Sequence, residues 1–471
     1  MDAYDLCVLG AGPAGLGAAF WAARAGHRVV ILERAEQVGG LSASFSLAGV
    51  TVDHGSHRLH STIAPGLLQE LRALLGDELR PRRRDGRIRL GGRWVRFPLS
   101  PANLLRALPP GLVIRAGRDV LTSPWRRPRS ETFEEVLRAK MGPALCAAFW
   151  FPYARKLWGV EPAQLDVELA RRRVSSDSAG ALLARLVRAA VPDAFARKER
   201  GKEFLYPDGG FGRLAEALAD AASHHGAELW MGSPVQALHR PAADAGAWDV
   251  RAGGETIRAR RVWSTLPLPV LVRLVRRPAP PADVQTAATG LRTRGMVLVY
   301  LVLDRDSYTE HDAHYLPGPE TPVSRVSEPK RYRGGRGTPG RTALCAELPA
   351  NVGDAWWRAS DEELAATVVA TLSSCGLPPV EPIATHVRRL PSVYPVYTRG
   401  YARDLATVEH WAAGLPDLLT FGRQGLFAHD NTHHALGMAY EACSALCPDG
   451  RFDEQAWAAA RARFREHVVE D

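Results

Sequence analysis

The sequence predicts an α/β protein built on a discontinuous Rossmann-like domain. The opening segment Val8–Leu16 is an apolar stretch that runs into a Gly-x-Gly-x-x-Gly spacing, followed by an alanine-rich helical pattern. A second apolar stretch ends in Glu33, and strand-like segments at 228–231 and 262–265 can return to the same sheet. A strand, a glycine turn, a helix and a strand ending in an acid form the order that a dinucleotide-binding fold requires.

Each glycine of the opening turn has a separate physical role. Gly10 allows the tight turn out of the strand, Gly12 lets the backbone approach a pyrophosphate, and Gly15 lets the helix lie close to the sheet. The helix that begins at Pro13 and Ala14 directs its positive amino terminus at the phosphates. The sequence therefore predicts a bound dinucleotide.

The residues after the second strand predict which dinucleotide it is. Glu33 can accept hydrogen bonds from ribose hydroxyls, and its charge would repel the 2′-phosphate of NADP. Gly39 and Gly40 follow directly, where a flavin-binding fold needs a second close approach of the backbone to its cofactor. We therefore expect FAD, because an NAD-dependent dehydrogenase has no fixed need for these two glycines.

Composition limits the class of protein. The chain has 471 residues, 46% hydrophobic residues and a net charge of +9, so it can bury a large core and attract anionic partners. No nucleic-acid motif, CxxC pair, metal-ligand spacing, signal peptide or membrane-length apolar run is visible, which predicts a cytoplasmic protein with reduced thiols. Peripheral membrane contact around 104–120 is an alternative to a core-facing helix there. The oligomeric state stays open.

The sequence predicts five segments that belong alternately to an FAD-binding domain and to the substrate side of the protein. The FAD-binding domain is expected to be assembled from residues 1–99, 206–280 and 406–471. A helical insertion on the substrate side is expected at 100–205, and a strand-rich part of a mixed α/β substrate domain at 281–405. The segment 87–98 alternates around two glycines and predicts a hairpin.

Several motifs resemble those of UDP-galactopyranose mutases and protoporphyrinogen-oxidase-like flavoproteins in the amine-oxidase superfamily. The likeness covers nearly the whole chain: the opening fingerprint, the Gly-Ser-His-Arg-Leu-His box at 55–60, the segment 151–159 and the Gly-Arg pair at 422–423. The resemblance implies an FAD-dependent enzyme. It also implies that Arg325 meets a substrate phosphate, and that Tyr394 and Tyr397 line the active site.

The sequence departs from the mutases at three positions. Lys202 stands where they carry an Arg on a mobile loop, and it cannot form a bidentate clamp. His429 and His433 stand where they place a Tyr and an Asp near the flavin. These differences weaken the transfer of mutase chemistry more than they weaken the flavin assignment.

The candidate catalytic residues follow from these motifs. His57 is expected beside the isoalloxazine ring, where it can hydrogen-bond the flavin or change its properties. The other catalytic or substrate-binding candidates are Arg325, Tyr394, Tyr397 and Lys202. The predicted FAD contacts are Gly10, Gly12, Pro13, Ala14, Gly15, Glu33, Arg34, Gly39, Gly40, Leu41, Ser42, Gly55, Ser56, His57, Val235, Gly422, Arg423 and His433, the last through the start of a helix capped by Thr432.

Four functions remain open from the sequence. The first is an FAD-dependent oxidoreductase that dehydrogenates a polar small molecule. That substrate could be sugar-like or could carry a phosphate. The second is a non-redox nucleotide-sugar mutase that works through reduced flavin. The third is an isoprenoid desaturase, and the fourth is a non-catalytic flavin-binding scaffold.

Overall fold

Two large β-sheets organise the chain. The computed structural model describes residues 3–97, 109–122, 125–173, 203–241 and 246–469. The strands are β1 (Tyr4–Leu9), β2 (Val29–Leu32), β3 (Ser44–Leu47), β4 (Val50–Asp53), β5 (Leu59–His60), β6 (Leu79–Arg83), β7 (Gly86–Leu90), β8 (Arg93–Phe97), β9 (Glu203–Pro207), β10 (Glu228–Trp230), β11 (Val235–His239), β12 (Trp248–Ala252), β13 (Glu255–Ser264), β14 (Val275–Arg277), β15 (Thr293–Leu303), β16 (Ala313–Tyr315), β17 (Arg325–Ser327), β18 (Thr342–Ala350), β19 (Ala384–Pro395) and β20 (Leu418–Thr420).

Helices cover the sheets and connect them. The α-helices span Pro13–Arg24, Pro65–Leu75, Pro110–Thr122, Phe133–Met141, Pro143–Leu145, Phe151–Trp158, Val167–Arg173, Arg213–His224, Leu268–Leu274, Ala282–Gly290, Pro329–Tyr332, Ala355–Arg358, Asp361–Ser374, Tyr401–Ala413, Gly422–Gly425, Thr432–Ser444 and Glu454–Phe464. The described residues within 100–205 are mostly helical, and the assignment of this range as an insertion stays a prediction. The predicted α/β fold class is confirmed.

The first sheet has eight strands and brings together distant parts of the chain. Its order is β10-β2-β1-β13-β12-β11-β14, with β20 also paired to β13. The strands β10, β2, β1, β13 and β20 run parallel, so Leu9 lies opposite both Leu32 and Ser264, and Ser264 lies opposite Thr420. The carboxyl ends of these strands therefore meet at one edge, where ligands of open α/β sheets bind. The exact domain boundaries stay a prediction.

The second sheet has seven strands in the order β19-β15-β18-β17-β16-β7-β8. Its strand β15, which lies between β19 and β18, is buried almost throughout. The predicted hairpin is also confirmed, because β7 pairs antiparallel with β8 through Gly91 and Gly92. Both glycines have positive φ angles, which a two-residue hairpin turn favours.

A buried carboxylate joins the small hairpin β3–β4 to its surroundings. Asp53 is 1% exposed and accepts hydrogen bonds from the Tyr206 hydroxyl, the Phe211 amide (3.1 Å) and the Ser44 hydroxyl (2.6 Å). Its backbone carbonyl accepts a further bond from the Tyr300 hydroxyl of β15 at 2.7 Å. Because these donors satisfy the buried charge, the loop that follows Asp53 has a fixed starting point.

The helix near the carboxyl terminus starts one residue earlier in its capping than the sequence predicts. The helix predicted near the carboxyl terminus begins at Thr432, but its N-cap is Asn431 and not Thr432. The side chains of Asn431 and His434 form a reciprocal capping box, which places the cap one residue earlier than expected. All six cysteines are unpaired. Within the described part of the chain, no helix is both long enough and apolar enough to cross a bilayer.

Buried histidines predict that the fold is sensitive to acid. Burial and the nearby Arg87 lower the pKa of His314 to about 3, and burial and the nearby His60 lower the pKa of His433 to about 4. The unfolded chain binds protons at these residues below a pH of about 6.5, whereas the folded protein does not. We expect the free energy of unfolding to fall as the pH decreases from about 6.5 towards 4.

The substitution His314→Gln tests this source of acid sensitivity. The unfolded chain should then bind about one proton fewer relative to the folded protein. The pH dependence of the free energy of unfolding should become shallower by about 1.4 kcal/mol per pH unit. Urea unfolding at a series of pH values measures that slope independently of any constant loss of stability. An unchanged slope would show that His314 titrates normally in the folded protein.

Candidate functional site

A cavity of about 1090 Å³ lies at the carboxyl edge of the first sheet. Its lining includes residues that directly follow strands of that sheet, namely Gly10, Glu33 and Thr265. Strands of the second sheet contribute Arg325 and Tyr394 to the same lining. The two sheets therefore form one continuous site, large enough for a dinucleotide.

The glycine turn has the geometry that a pyrophosphate requires. A Cβ atom on Gly12 would meet nothing within 4 Å, whereas one on Gly15 would lie 1.9 Å from the carbonyl oxygen of Gly10. Gly10 itself has a φ of +98°, which disfavours a larger residue. Gly15 does not line the cavity and acts through helix–turn packing, while Gly10, Gly12, Pro13 and Ala14 do line it.

The amino terminus of the following helix is available to a ligand. The N-cap of Pro13–Arg24 is Gly12, and no side chain caps the helix. Its first amide groups and the helix dipole therefore favour an anion in the open space beside Gly12. This arrangement fits the diphosphate of FAD.

Glu33 is held in place by backbone amides. Its two carboxylate oxygens accept hydrogen bonds from Ala11 N–H at 2.8 Å and Ala35 N–H at 2.9 Å. The residue lines the cavity together with Arg34 and Val235. A fixed carboxylate in this position can accept further bonds from ribose hydroxyls, so the geometry is compatible with the predicted role of Glu33.

The second pair of glycines lies directly on the first turn. Gly39 donates its N–H to the Ala11 carbonyl at 2.8 Å, and a Cβ on Gly40 would lie 3.5 Å from the Cα of Gly12. Gly40, Leu41 and Ser42 line the cavity, whereas Gly39 does not. Gly39 therefore supports the cavity wall and is not itself a contact residue.

The carboxyl-terminal Gly–Arg pair closes the site from another direction. A Cβ on Gly422, which has a φ of +80°, would lie 2.9 Å from the Ala14 side chain. Arg423 donates to the carbonyls of Asp430 (2.9 Å) and Val393 (3.0 Å), and its guanidinium lies over the Tyr394 ring. These bonds position the loop that leads into the helix Thr432–Ser444.

His433 does not reach the cavity with its side chain. Its ring lies among other histidines, 5.8 Å from the centre of His60 and 4.0 Å from that of His434. The cavity is instead lined by Asn431 and Thr432 at the start of the same helix. The predicted start of a helix at the cofactor site is therefore compatible with the structure, and the predicted contact through the backbone N–H of His433 stays a prediction.

The loop after Asp53 places His57 on the cavity wall with Gly55 and Ser56. The Nε2 atom of His57 lies 2.9 Å from the backbone carbonyl of His54, and the ring stacks on Phe211. Burial lowers the pKa of His57, which keeps the imidazole neutral. Its proposed contact with the flavin stays a prediction.

Arg325 is paired with a carboxylate in the cavity. Its guanidinium donates three hydrogen bonds of 2.8–3.0 Å to Glu347, which also accepts the Ser56 N–H at 3.0 Å. Burial alone would lower the pKa of Arg325, but Glu347 and neighbouring groups raise it well above its usual value. The charge of Arg325 is therefore compensated inside the protein, which weakens its predicted role as a phosphate clamp.

The two predicted tyrosines have different environments. Tyr394 lines the cavity, stacks on His429, and has no hydrogen-bond partner for its hydroxyl among the described residues. Tyr397 does not line the cavity, because it is 2% exposed and stacks on Tyr401. Its hydroxyl donates to the Phe427 carbonyl at 2.9 Å. Tyr397 is a core residue, which corrects its assignment to the active site, and Lys202 lies outside the described residues.

Other residues that were not predicted as site residues also reach the cavity. Arg388 of β19 contacts the Nε2 atom of His54, and both residues line the cavity. Burial and the charge of Arg388 lower the pKa of His54 to about 4. Arg58 forms a buried ion pair with Asp312 at 3.1 Å. Arg58 lies in the box at 55–60, but the partners in each pair are far apart in the sequence, so no local motif identifies the pairing.

A carboxylate and two imidazoles also meet near the end of the cavity wall. Asp430 lies 3.6 Å from His434 and 3.4 Å from His467, and all three offer ligand atoms within 4.8 Å of one another. The two imidazole rings are stacked at 4.2 Å and nearly parallel. Ring nitrogens bind metals in the plane of the ring, so parallel rings do not converge on one ion without rotating. Nδ1 of His467 is within hydrogen-bond distance of Asp430, whereas Nδ1 of His434 accepts the Asn431 N–H.

Comparison with known proteins agrees with this geometry. A relative in Mycobacterium tuberculosis, provisionally named flavin-containing monoamine oxidase AofH, is 28% identical over 253 residues. That match covers 51% of this chain and 52% of the relative, so it spans about half the length of the curated relatives.

Solved structures share the fold over nearly the whole chain. Reduced UDP-galactopyranose mutase superposes with a TM-score of 0.81 at 19% identity and covers 99% of this chain and 100% of its own. A protein of Exiguobacterium sp. 255-15, provisionally named protoporphyrinogen oxidase, has a TM-score of 0.73 at 21% identity, covering 94% and 98%. The sequence model of the flavin-containing amine oxidoreductase family matches residues 13–442 of this chain. The chain therefore belongs to the flavin-containing amine oxidoreductase family, and its cofactor is FAD.

Proposed function

We propose that this protein is an FAD-dependent dehydrogenase that removes a hydride from a C–H bond of a polar small molecule. The observation that carries the proposal is that the dinucleotide cradle and a hydrogen-bonding surface share one cavity. That surface includes the Tyr394 hydroxyl and the Arg325–Glu347 pair. Bound FAD supplies the hydride acceptor, so the protein needs to bind, orient and shield its substrate.

The compensated charge of Arg325 favours dehydrogenation over a mutase reaction. A nucleotide-sugar mutase must hold a diphosphate leaving group, which requires cationic side chains that are free to bind it. Arg325 already donates three hydrogen bonds to Glu347, so its net contribution to an anion site is small. A polar substrate that exchanges hydrogen bonds with Tyr394 and the ion pair fits this environment better than a phosphorylated one.

Anaerobic mixing with substrate panels tests this proposal. We expect polar alcohols, amines or sugars to bleach the visible absorbance of the bound flavin in the holoprotein. Turnover of a nucleotide sugar only after reduction with dithionite would replace the proposal with the mutase. Bleaching only by an isoprenoid would replace it with the desaturase, and failure of every class would favour a non-catalytic scaffold.

Two neighbouring glycines form a matched pair for testing the cofactor cradle. Gly12→Ala adds a methyl group to open space, so the fold should be unaffected, but the methyl should block the diphosphate. We expect the Kd for FAD to rise at least about tenfold, which corresponds to about 1.4 kcal/mol of lost binding, and the flavin content of purified protein to fall. Gly15→Ala instead places a methyl group against the Gly10 carbonyl and should cost about 1–3 kcal/mol of stability.

The flavin-to-protein ratio and urea unfolding of the flavin-free variants separate these effects. Full flavin content in Gly12→Ala would place the diphosphate elsewhere. Equal stability of the two variants would show that the helix can move away from the turn.

The Arg325–Glu347 pair makes a prediction about stability. Arg325→Met leaves Glu347 buried without its partner and should destabilise the protein by about 3–5 kcal/mol. The double variant Arg325→Met/Glu347→Leu removes both charges and should recover most of that loss. Urea unfolding measures the coupling between the two positions. If the effects of the two substitutions on the free energy of unfolding are additive, Arg325 and Glu347 do not stabilise each other in the folded protein.

A further inference from the structure

The helix Pro110–Thr122 exposes large apolar side chains. Ile114 is 65% exposed and Leu121 is 71% exposed, and seven residues of separation places them on the same side of the helix. Trp125 follows shortly after and is 80% exposed. These are three of the eight large hydrophobic residues that are exposed in the described part of the chain. We name Ile114, Leu121 and Trp125 the apolar face.

Exposed basic residues lie next to the apolar face in the chain. Arg115 and Arg118 are exposed on the helix itself, and Arg127 and Arg129 are exposed just after Trp125. Asp119 on the same helix accepts the Ala144 N–H at 2.7 Å and is only partly exposed. Glu131 is the exposed acid at the end of this stretch.

The opposite side of the helix is fixed to the cavity wall. Leu112 is buried in a cluster with Ile88, Val95 and Tyr315 of the second sheet. Tyr315 also lines the large cavity. Ile114 and Leu121 are therefore presented by a helix that is anchored to the wall of the functional site.

We propose that the apolar face docks on the surface of an anionic lipid bilayer. Ile114, Leu121 and Trp125 would enter the boundary between headgroups and acyl chains, while the arginines contact lipid phosphates. A helix with an apolar stripe flanked by arginines has the chemistry of an interfacial helix, and tryptophan is favoured at this depth. Charge complementarity selects this occupant, because a second copy of the same basic face would be repelled.

The helix Pro110–Thr122 falls in the segment around 104–120, for which the sequence leaves two interpretations open. A core-facing helix and a membrane contact explain its sequence equally well, and its first residues lie outside the described part. The exposure of Ile114 shows that one face of the helix is not covered by the described core. Docking would bring the cavity wall beside Tyr315 close to the bilayer. It does not depend on which reaction the site performs.

Co-sedimentation of the full-length holoprotein with vesicles tests the docking surface. We expect binding to vesicles of phosphatidylcholine and phosphatidylglycerol, weaker binding at high salt, and little binding to phosphatidylcholine alone. The double variant Ile114→Asp/Leu121→Asp should bind the anionic vesicles at least about tenfold more weakly. Arg115→Gln/Arg118→Gln should lower the preference for anionic lipid and retain part of the affinity.

A matched control is available at another surface. Val352 and Ile383 are 63% and 51% exposed, so Val352→Asp/Ile383→Asp adds the same charge elsewhere and should bind vesicles like the wild type. Flavin content and thermal unfolding of all variants check that the fold is intact. Absence of wild-type binding to either vesicle type would overturn the proposal, as would equal binding by the Ile114→Asp/Leu121→Asp variant. Self-association of the wild type through this face, without vesicle binding, would also overturn it.

Discussion

The close approach of backbone to a diphosphate is the constraint on which the site depends. The phosphate groups need amide donors without an intervening Cβ, so Gly12 faces open space at the end of β1. Gly15 then has to be small because the helix lies against the Gly10 carbonyl. Gly40 and Gly422 extend the same requirement to two other loops. A shared geometric need, and not separate local preferences, explains why glycines from distant segments meet there.

The parallel strands provide the frame for this approach. The ends of β1, β2, β13 and β20 are in register, so the loops that follow them open on one edge. Glu33 is fixed there by the amides of Ala11 and Ala35. The second sheet adds side chains that can bind a substrate. The first sheet thus provides the glycine-lined part of the cavity, and the second sheet provides the part lined by Arg325 and Tyr394.

Local sequence patterns predicted the features that are set by local geometry. The glycine turn, Glu33 and the hairpin after Gly86 depend on backbone preferences over a few residues, so the sequence contains enough information to place them. The pairing of Arg325 with Glu347 depends on the register of β17 against β18, which no single segment encodes. Tyr394 and Tyr397 belong to one short motif in the sequence, but Tyr394 lies in β19 and lines the cavity, whereas Tyr397 lies beyond the end of β19 and packs in the core. The N-cap is Asn431 because its side chain and that of His434 form a capping box. Thr432, the residue type that is common at N-caps, therefore becomes the first residue of the helix.

Glu347 has a consequence beyond charge balance. Its carboxylate accepts hydrogen bonds from the Ser56 N–H in the loop after Asp53 and from the guanidinium of Arg325 on the second sheet. One side chain therefore connects the backbone of this cavity-lining loop to β17, which pairs with β18. By reciprocal linkage, a flavin that contacts the loop and favours this arrangement would strengthen the binding of a second ligand that favours it, and the second ligand would strengthen flavin binding by the same free energy.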